Sequence, residues 1–254
     1  MAPLLTHLVI GERVYPQIRF CDVTPSVYGA FLAGCVLVDV NSFSQIDRRI
    51  THFVGRLPED GEAAFRDSCS NFLNQLGEVV RLPWETLART EQAFIAGYLC
   101  HLAGDEIWKE LTWKMLQSLG IASPIDLPVP GEVILTTFSV LSGEMFVDYP
   151  SVRSTLNIAE IPDIFTHVSW NDFQRTWQIA QPYLLSGHTL DAYFEFLKRK
   201  GMSANEIEQA REQHEAFGDK AAALIGTLGG VEAYIRASVD HSLLTICRLG
   251  KVDA

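Results

Sequence analysis

The pattern of apolar and polar residues along this chain is typical of a helical protein. Apolar positions recur at helical spacing in most segments, and these segments are separated by glycine, proline and capping residues. No stretch shows the regular alternation of apolar and polar residues, separated by turns, that is typical of antiparallel strands. We therefore expect an all-α fold, arranged as a single multi-helix domain.

Local capping signals place several helix boundaries. Thr24 followed by Pro25 predicts a helix start. The threonine side chain can cap free backbone N–H groups, and proline is tolerated at the first helical position because the N–H it lacks would have no partner within the helix. Length favours a helix for 132–146, although its Val, Ile and Thr content leaves a strand open. The predicted helices are 4–14, 24–39, 58–76, 83–119, 132–146, 169–185, 189–200, 203–217 and 221–248, with a break at Gly229 and Gly230.

Composition narrows the class of protein. The chain has 254 residues, of which 48% are hydrophobic and 20% charged, as expected for a folded globular protein. Its net charge of −11, with no cluster of basic residues, argues against binding to a nucleic-acid polymer. The five cysteines are dispersed and form no C-x-x-C pair, so we expect mostly buried free thiols. Neither a secretory signal nor a transmembrane run is evident, so we expect a cytoplasmic protein.

Two residues of metal-ligand type, His101 and Asp105, lie within the long apolar run 83–119. Their spacing of four residues places both on one helix face, about 5–6 Å apart at Cβ. An imidazole and a carboxylate are each costly to bury alone, and either a hydrogen bond between them or a shared divalent cation removes that cost. The spacing by itself leaves both interpretations open.

Three further residues of this type lie in apolar surroundings: His7, Asp39 and His52. His7 is either a hydrogen-bonded core residue or a metal ligand. Asp39 ends a buried apolar run and needs a partner, which is either a structural one such as Arg48 or a metal. We refer to His7, Asp39, His52, His101 and Asp105 together as the His/Asp set.

The His/Asp set occurs in an order and context that resembles the zinc-dependent phospholipase C family, relatives of the fungal single-strand zinc nucleases. The resemblance covers roughly the first 115 residues; beyond them only a general helical character is shared. It rests on Thr6-His7-Leu8, Phe31-Leu32-Ala33-Gly34 leading to Asp39, Arg49-Ile50-Thr51-His52-Phe53, and the segment from Ala93 to Asp105. We expect one helical domain, 1–254, with a metal-site half at 1–120, a helical second half at 132–254 and, between them, a turn-rich segment at 121–131 that is either a connector or only a long loop.

Carried over by position, the resemblance implies that Asp39, His52, His101 and Asp105 hold one zinc ion. His7 and a bridging Asp105 would hold a second zinc ion nearby. Imidazole nitrogen and carboxylate oxygen are ligands that zinc accepts. In the family the carboxylate matching Asp39 is also a candidate general base.

Other residues are given supporting roles. Glu106 is a second candidate general base, or a group that orients a ligand imidazole. Arg49, or its neighbour Arg48, is a candidate for holding the substrate phosphate. An ordinary solvated turn is the alternative for these arginines.

This chain departs from the secreted members of the family in two respects. Those members complete their site with the amino group and carbonyl of a processed N-terminal tryptophan, and they hold a third metal with further histidines and an H-x-x-x-E motif. This chain has neither feature, so a site for one or two ions is expected. The remaining histidines are assigned to the surface or the core, with His167 and His188 kept as candidate ligands because they lie near helix starts.

The leading functional hypothesis is a metal-dependent hydrolase of a phosphate ester, of phosphodiesterase or phosphatase type, that uses a metal-bound hydroxide on a small phosphate-containing substrate. One alternative loads the same cluster with iron or manganese for redox chemistry, as in helical di-iron proteins. Another is a non-catalytic protein in which a metal, or a hydrogen-bonded cluster in its place, ties the helices together.

Overall fold

The fold is organised around one long helix, α6 (Arg89–Leu119), described in a computed structural model that covers residues 3–18, 24–54, 67–121, 127–186 and 189–249. Within those residues the chain forms twelve α-helices and no strand; an isolated antiparallel bridge joins Val80 to Phe165. The all-α expectation is confirmed. The other helices are α1 (Leu4–Val14), α2 (Pro25–Leu37), α3 (Arg48–Thr51), α4 (Ser68–Asn74), α5 (Leu76–Val79), α7 (Gly131–Gly143), α8 (Tyr149–Asn157), α9 (Trp170–Ser186), α10 (Leu190–Arg199), α11 (Ala204–Thr227) and α12 (Gly230–Ile246).

Capping chemistry sets several boundaries as predicted. The hydroxyl of Thr24 accepts the backbone N–H of Val27 at the start of α2, and Thr189 caps α10 in the same way. Helix α6 ends at Gly120, which has a φ of 65°. Glycine adopts this left-handed conformation without the steric cost that a Cβ would bring.

Other predicted boundaries were wrong. The segment from Pro83 does not continue into α6, because the Glu91 carboxylate accepts the backbone N–H of Ala88 at 2.7 Å and the helix begins only at Arg89. The predicted helix 58–76 lies partly outside the described residues; its described part divides at Gln75, and Gly77 lies inside α5 rather than ending a helix. Helix α2 ends at Leu37, and Asp39 follows in a 3-10 turn, Val38–Ser42.

In the second half of the chain, α11 continues ten residues past the predicted end at Phe217 and takes in residues assigned to the next helix. The break at Gly229 and Gly230 is confirmed by their positive φ values of 88° and 75°. Helices α3 and α8 were not predicted, although Asp47 and Asp148 cap their first turns. Part of the turn-rich connector, residues 122–126, lies outside the described residues.

Helix α2 crosses α6 in close backbone contact. A Cβ built on Gly34 would lie 2.2 Å from the carbonyl oxygen of Phe94, and one built on Gly97 would lie 2.0 Å from that of Phe31. Only glycine permits this approach, which is the physical reason for the Gly residues in these two apolar helices. The crossing brings the end of α2, and the turn that carries Asp39, alongside the middle of α6.

A continuous apolar core joins both halves of the chain. Helix α12 packs against α6 and α1, while α7 packs against α1 and α11. Large buried side chains from both halves belong to the same cluster, including Phe31, Tyr98, Phe138 and Tyr234. The proposed division into two halves stays a prediction. Among the described helices none is both long and apolar enough to cross a bilayer.

Candidate metal centre

The five residues of the His/Asp set meet inside the helical core. They come from α1, the Val38–Ser42 turn, the end of α3 and the middle of α6, and each is at most 1% exposed. Their ligand atoms form two groups that share one imidazole, with all atoms in a group within 4.8 Å of one another. The groups are His7, His101 and Asp105, and Asp39, His52 and His101.

Asp105 lies between the two groups. One carboxylate oxygen, Oδ1, is 3.7 Å from Nε2 of His7, and the other, Oδ2, is 3.5 Å from Nε2 of His52. Oδ1 of Asp39 is 3.2 Å from Nε2 of His52 and 3.7 Å from Nε2 of His101. Both carboxylates therefore face imidazole nitrogens within the reach of a shared cation.

The backbone of α2 orients His101. Its Nδ1 lies 2.8 Å from the carbonyl oxygen of Cys35. A carbonyl can only accept a hydrogen bond, so Nδ1 carries the proton and Nε2 presents a lone pair to the centre. A second partner of this kind is a common feature of metal-binding histidines, because it fixes both the tautomer and the ring orientation.

His52 is oriented by its neighbour in sequence. Its Nδ1 lies 2.8 Å from the hydroxyl oxygen of Thr51, and that hydroxyl donates to the carbonyl of Arg48 at 3.3 Å. When the hydroxyl donates to the Arg48 carbonyl or to Oδ1 of Asn41, it can accept the ring proton from Nδ1, and the Nε2 lone pair of His52 then faces the centre.

The chain bends sharply after His52. Phe53 has a φ of 51°, a left-handed conformation that costs a residue with a Cβ about 1–2 kcal/mol. Its carbonyl accepts the side-chain amide of Asn71, and its ring packs on Phe72. These contacts hold the bend that turns His52 into the core.

His7 lies flat against His101, with ring centroids 3.7 Å apart and an interplanar angle of 13°. The absence of a side chain at Gly104 makes room for it, since a Cβ there would lie 3.2 Å from Nδ1 of His7. Neither ring nitrogen of His7 has a hydrogen-bond partner among the described residues.

Several other buried polar atoms at the centre also lack a hydrogen-bond partner within the described part of the chain. They are both carboxylate oxygens of Asp39 and Nε2 of His52 and His101. A buried polar atom without a partner costs about 1–3 kcal/mol, so a group of them at one point is typical of a binding site. Imidazole lone pairs and carboxylate oxygens together fit a divalent cation, and the donor types suit zinc, iron or manganese.

The charge states also fit metal binding. Burial lowers the pKa of His7 to about 3 and lowers that of His101 as well. Burial acts to raise the pKa of Asp105, but the positive charges around it, that of Arg48 among them, outweigh burial and hold that pKa well below its usual range. At neutral pH these imidazoles are neutral and this carboxylate is ionised, which are the forms that coordinate metals.

The two arginines differ in position. Nη2 of Arg48 lies 2.5 Å from Oδ2 of Asp105, and its side chain is 30% exposed, so it joins the centre to the surface. Arg49, the arginine named first from the sequence, pairs instead with Asp47 through a side chain that is 67% exposed. Arg48 is the arginine that contacts the His/Asp set.

Glu106 does not contact an imidazole of the His/Asp set through the hydrogen bonds that the structure describes. Its Oε1 accepts the backbone N–H of Cys69 at 2.8 Å, and its Oε2 lies 2.6 Å from Nε2 of His241. His167 packs among the rings of Phe53, Tyr98 and Phe165 and belongs to neither ligand group. His188 lies outside the described residues.

A small cavity reaches the centre from the side of Asp39. Its volume is about 170 Å³. Its lining is mostly apolar with a few polar groups and includes Ser42, Phe43, Leu135, Ser139, Tyr183, Phe196 and Lys200. Because several of these residues belong to α7, α9 and α10, the second half of the chain forms one wall of the approach to the centre.

Sequence reasoning missed the groups that orient the imidazoles and the contact of His241 with Glu106. The Cys35 carbonyl carries no residue-specific signal, and Thr51 was noted only as part of a motif. His241 and Glu106 are far apart in sequence, and no local spacing links them.

Comparisons with models of protein families, with curated proteins and with solved structures found no match to this chain.

Proposed function

We propose that this protein is a metal-dependent hydrolase of phosphate esters. The observation that carries the proposal is the convergence of five buried ligand-type side chains, four of which (His7, Asp39, His52 and His101) hold nitrogen or oxygen atoms with no hydrogen-bond partner among the described residues. A purely structural cluster of this size would satisfy its polar atoms internally. The resemblance to the zinc-dependent phospholipases C points to the same chemistry.

Asp39, His52, His101 and Asp105 would hold one ion, and His7 with Asp105 a second. A bound divalent cation lowers the pKa of a coordinated water and neutralises charge on a phosphoryl group. The lowered pKa values of His7, His101 and Asp105 favour neutral imidazoles and an ionised carboxylate, the forms that bind metal.

Arg48 supplies the anion-binding group. Its guanidinium bonds Asp105 but keeps a partly exposed face, so it can pair with two oxygens of a phosphate that enters the centre. This cation favours an anionic substrate over dioxygen, and it is the reason we prefer hydrolysis to redox chemistry.

Asp39 is the better placed of the two candidate general bases. Its carboxylate oxygens have no described hydrogen-bond partner and the residue lines the cavity, so the carboxylate can accept a proton from a water molecule beside the substrate. Both oxygens of Glu106 are already engaged, by Cys69 and by His241.

The first test is elemental analysis of the freshly purified protein. We expect the His101→Gln variant to contain one or two fewer zinc ions per chain than the unaltered protein. Iron with a visible absorption band would support the redox alternative instead, and a metal-free protein would support a structural cluster.

The second test is turnover of a chromogenic phosphodiester and a chromogenic phosphomonoester. Activity should be lost on treatment with a chelator and in both Asp39→Asn and His101→Gln, while His214→Gln, which alters a histidine of α11, should retain it. Circular dichroism of each variant separates loss of the site from loss of the fold. Undiminished hydrolysis by a folded His101→Gln protein would overturn the assignment of the site.

A further inference from the structure

A second group of metal-ligand side chains lies on another face of α6. Cys69 from α4, Glu106 from α6 and His241 from α12 bring one sulfur, one carboxylate oxygen and one imidazole nitrogen within 4.8 Å of one another. We refer to these residues as the Cys/Glu/His group. None of them belongs to the His/Asp set, and Glu106 leaves α6 in a different direction from its neighbour Asp105, because adjacent helical residues differ by about 100° around the axis.

The geometry of the Cys/Glu/His group is fixed by its surroundings. The backbone N–H of Cys69 donates to Oε1 of Glu106 at 2.8 Å, and Nε2 of His241 lies 2.6 Å from Oε2. Cys69 is 3% exposed and Glu106 is 8% exposed. The three side chains are therefore already placed close together in the folded chain, so little ordering is needed to bind an ion.

Access to this group comes through His241. Its side chain is 35% exposed, whereas that of Glu106 is 8% exposed. An ion can thus enter from solvent past the imidazole, and water can take a fourth coordination position. Three protein ligands and one water form the usual open tetrahedral arrangement for zinc.

We propose that Cys69, Glu106 and His241 form a second, thiolate-containing site for a thiophilic divalent metal, with zinc the best chemical match. Thiolate with imidazole selects zinc or a similar transition metal over magnesium or calcium, which prefer oxygen ligands. The site would fasten α4 and α12 to α6. This proposal is independent of the proposed hydrolase activity, because the His/Asp set has only nitrogen and oxygen donors.

Metal binding at the Cys/Glu/His group changes the protonation of its cysteine and histidine. Without metal, the Nε2 position of His241 faces Glu106 and the Cys69 sulfur holds a proton. On binding, the thiol proton passes to solvent, and the proton between His241 Nε2 and Glu106 is exchanged through solvent so that the ring holds its proton on Nδ1 and Nε2 turns its lone pair to the ion. One thiolate, one carboxylate and one dication give a site with no net charge, which lowers the cost of burying it.

Cobalt(II) substitution tests the site in the full-length protein. The protein is stripped of metal with a chelator, dialysed and titrated with Co²⁺, which occupies zinc sites and absorbs light where zinc does not. A bound thiolate gives an intense near-ultraviolet charge-transfer band, whereas nitrogen and oxygen ligands give only weak visible bands. We expect both kinds of band in the unaltered protein.

The variants assign the band to a residue. Cys69→Ser should abolish the near-ultraviolet band and leave the visible bands of the His/Asp set. Cys247→Ser, which alters an exposed free cysteine, should change neither. His52→Ala should weaken the visible bands and retain the charge-transfer band, so failure of the hydrolase proposal is distinguishable from failure of this one.

His241→Gln gives a second test that keeps the thiol in place. We expect it to weaken Co²⁺ binding, followed by the near-ultraviolet band, at least tenfold. A charge-transfer band that persists in Cys69→Ser, or the absence of any such band in the unaltered protein at saturating Co²⁺, would overturn the proposal. Unchanged Co²⁺ affinity in His241→Gln would also overturn the assigned ligand set.

Discussion

Nη2 of Arg48 lies 2.5 Å from Oδ2 of Asp105, so a partly exposed cation is bonded directly to a buried candidate metal ligand. If the hydrolase proposal is correct, this guanidinium pairs with the substrate phosphate. We expect Arg48→Gln to raise KM for a chromogenic phosphodiester about 10- to 100-fold, since a charge-assisted hydrogen bond is worth about 1.5–3 kcal/mol. Inhibition by inorganic phosphate should weaken in parallel.

Arg49→Gln is the matched control for this prediction. It removes the same charge from the next residue, whose guanidinium pairs with Asp47 at the surface. Kinetics should stay close to those of the unaltered protein, because exposed ion pairs contribute little. If KM rose more in Arg49→Gln than in Arg48→Gln, the assignment of the substrate phosphate to Arg48 would be wrong.

The Thr51 hydroxyl provides a second prediction. Its oxygen lies 2.8 Å from Nδ1 of His52, so its replacement in Thr51→Val leaves Nδ1 without this partner while keeping the shape of the side chain. Metal affinity, measured by competition with a chromophoric chelator, should fall about 10- to 100-fold.

Thr112→Val tests whether that loss is specific. Thr112 also lies on a helix and its hydroxyl bonds only a backbone carbonyl, that of Trp108, among the contacts described. Metal affinity should be unchanged there. Equal effects of the two substitutions would argue against a role for Thr51 in orienting His52.

The crossing of α2 and α6 provides a third prediction. In Gly97→Ala the new Cβ would lie 2.0 Å from the carbonyl oxygen of Phe31, so the helices must separate. We expect the free energy of unfolding, measured with urea, to fall by about 3 kcal/mol or more. Metal binding should weaken as well, since the same crossing carries the bond from His101 to the Cys35 carbonyl.

Gly77→Ala is the control for this substitution. Gly77 lies within α5, and a Cβ there meets nothing within 4 Å. The free energy of unfolding should rise by about 0.5–1 kcal/mol, because alanine loses less backbone freedom than glycine on entering a helix. A similar destabilisation in both variants would show that the close crossing is not the cause.

Much of the fold follows from local signals that the sequence carries. Apolar periodicity predicts long helices, and Thr24, Thr189 and the positive-φ Gly229 mark their ends. The start of α6 was missed because it depends on the Glu91 side chain bonding Ala88, which competes with the continued helix predicted from Pro83. The end of α11 was missed because Gly218, Asp219 and Lys220 resemble a loop between two helices, whereas α11 continues through them to Thr227.

The residues of the candidate centre could be predicted from the sequence, but their arrangement in space could not. Ligand-type residues in apolar surroundings pointed to the His/Asp set, since such groups need a partner when buried. Sequence spacing joined only His101 to Asp105. Which arginine reaches the centre depends on how α3 turns: Arg48 lies beside Asp105, whereas the adjacent Arg49 pairs with Asp47.

The buried imidazole of His167 provides a prediction about acid stability in the metal-free protein. Burial lowers its pKa from the ordinary value of 6.5 to about 4. Between these values the unfolded chain binds the proton and the folded chain does not, so stability is full above pH 6.5 and falls as the pH approaches 4. Protonation of His167 alone should lower the free energy of unfolding by about 3 kcal/mol between pH 7 and pH 4.

His167→Phe isolates this contribution, because a phenyl ring can pack among Phe53, Tyr98 and Phe165 without titrating. Urea unfolding of both proteins at a series of pH values between 7 and 4 should show a shallower loss of stability in the variant. The difference between the curves cancels the contributions of the His/Asp set, which both proteins share. Parallel curves would mean that His167 takes up its proton equally well in the folded and unfolded chains.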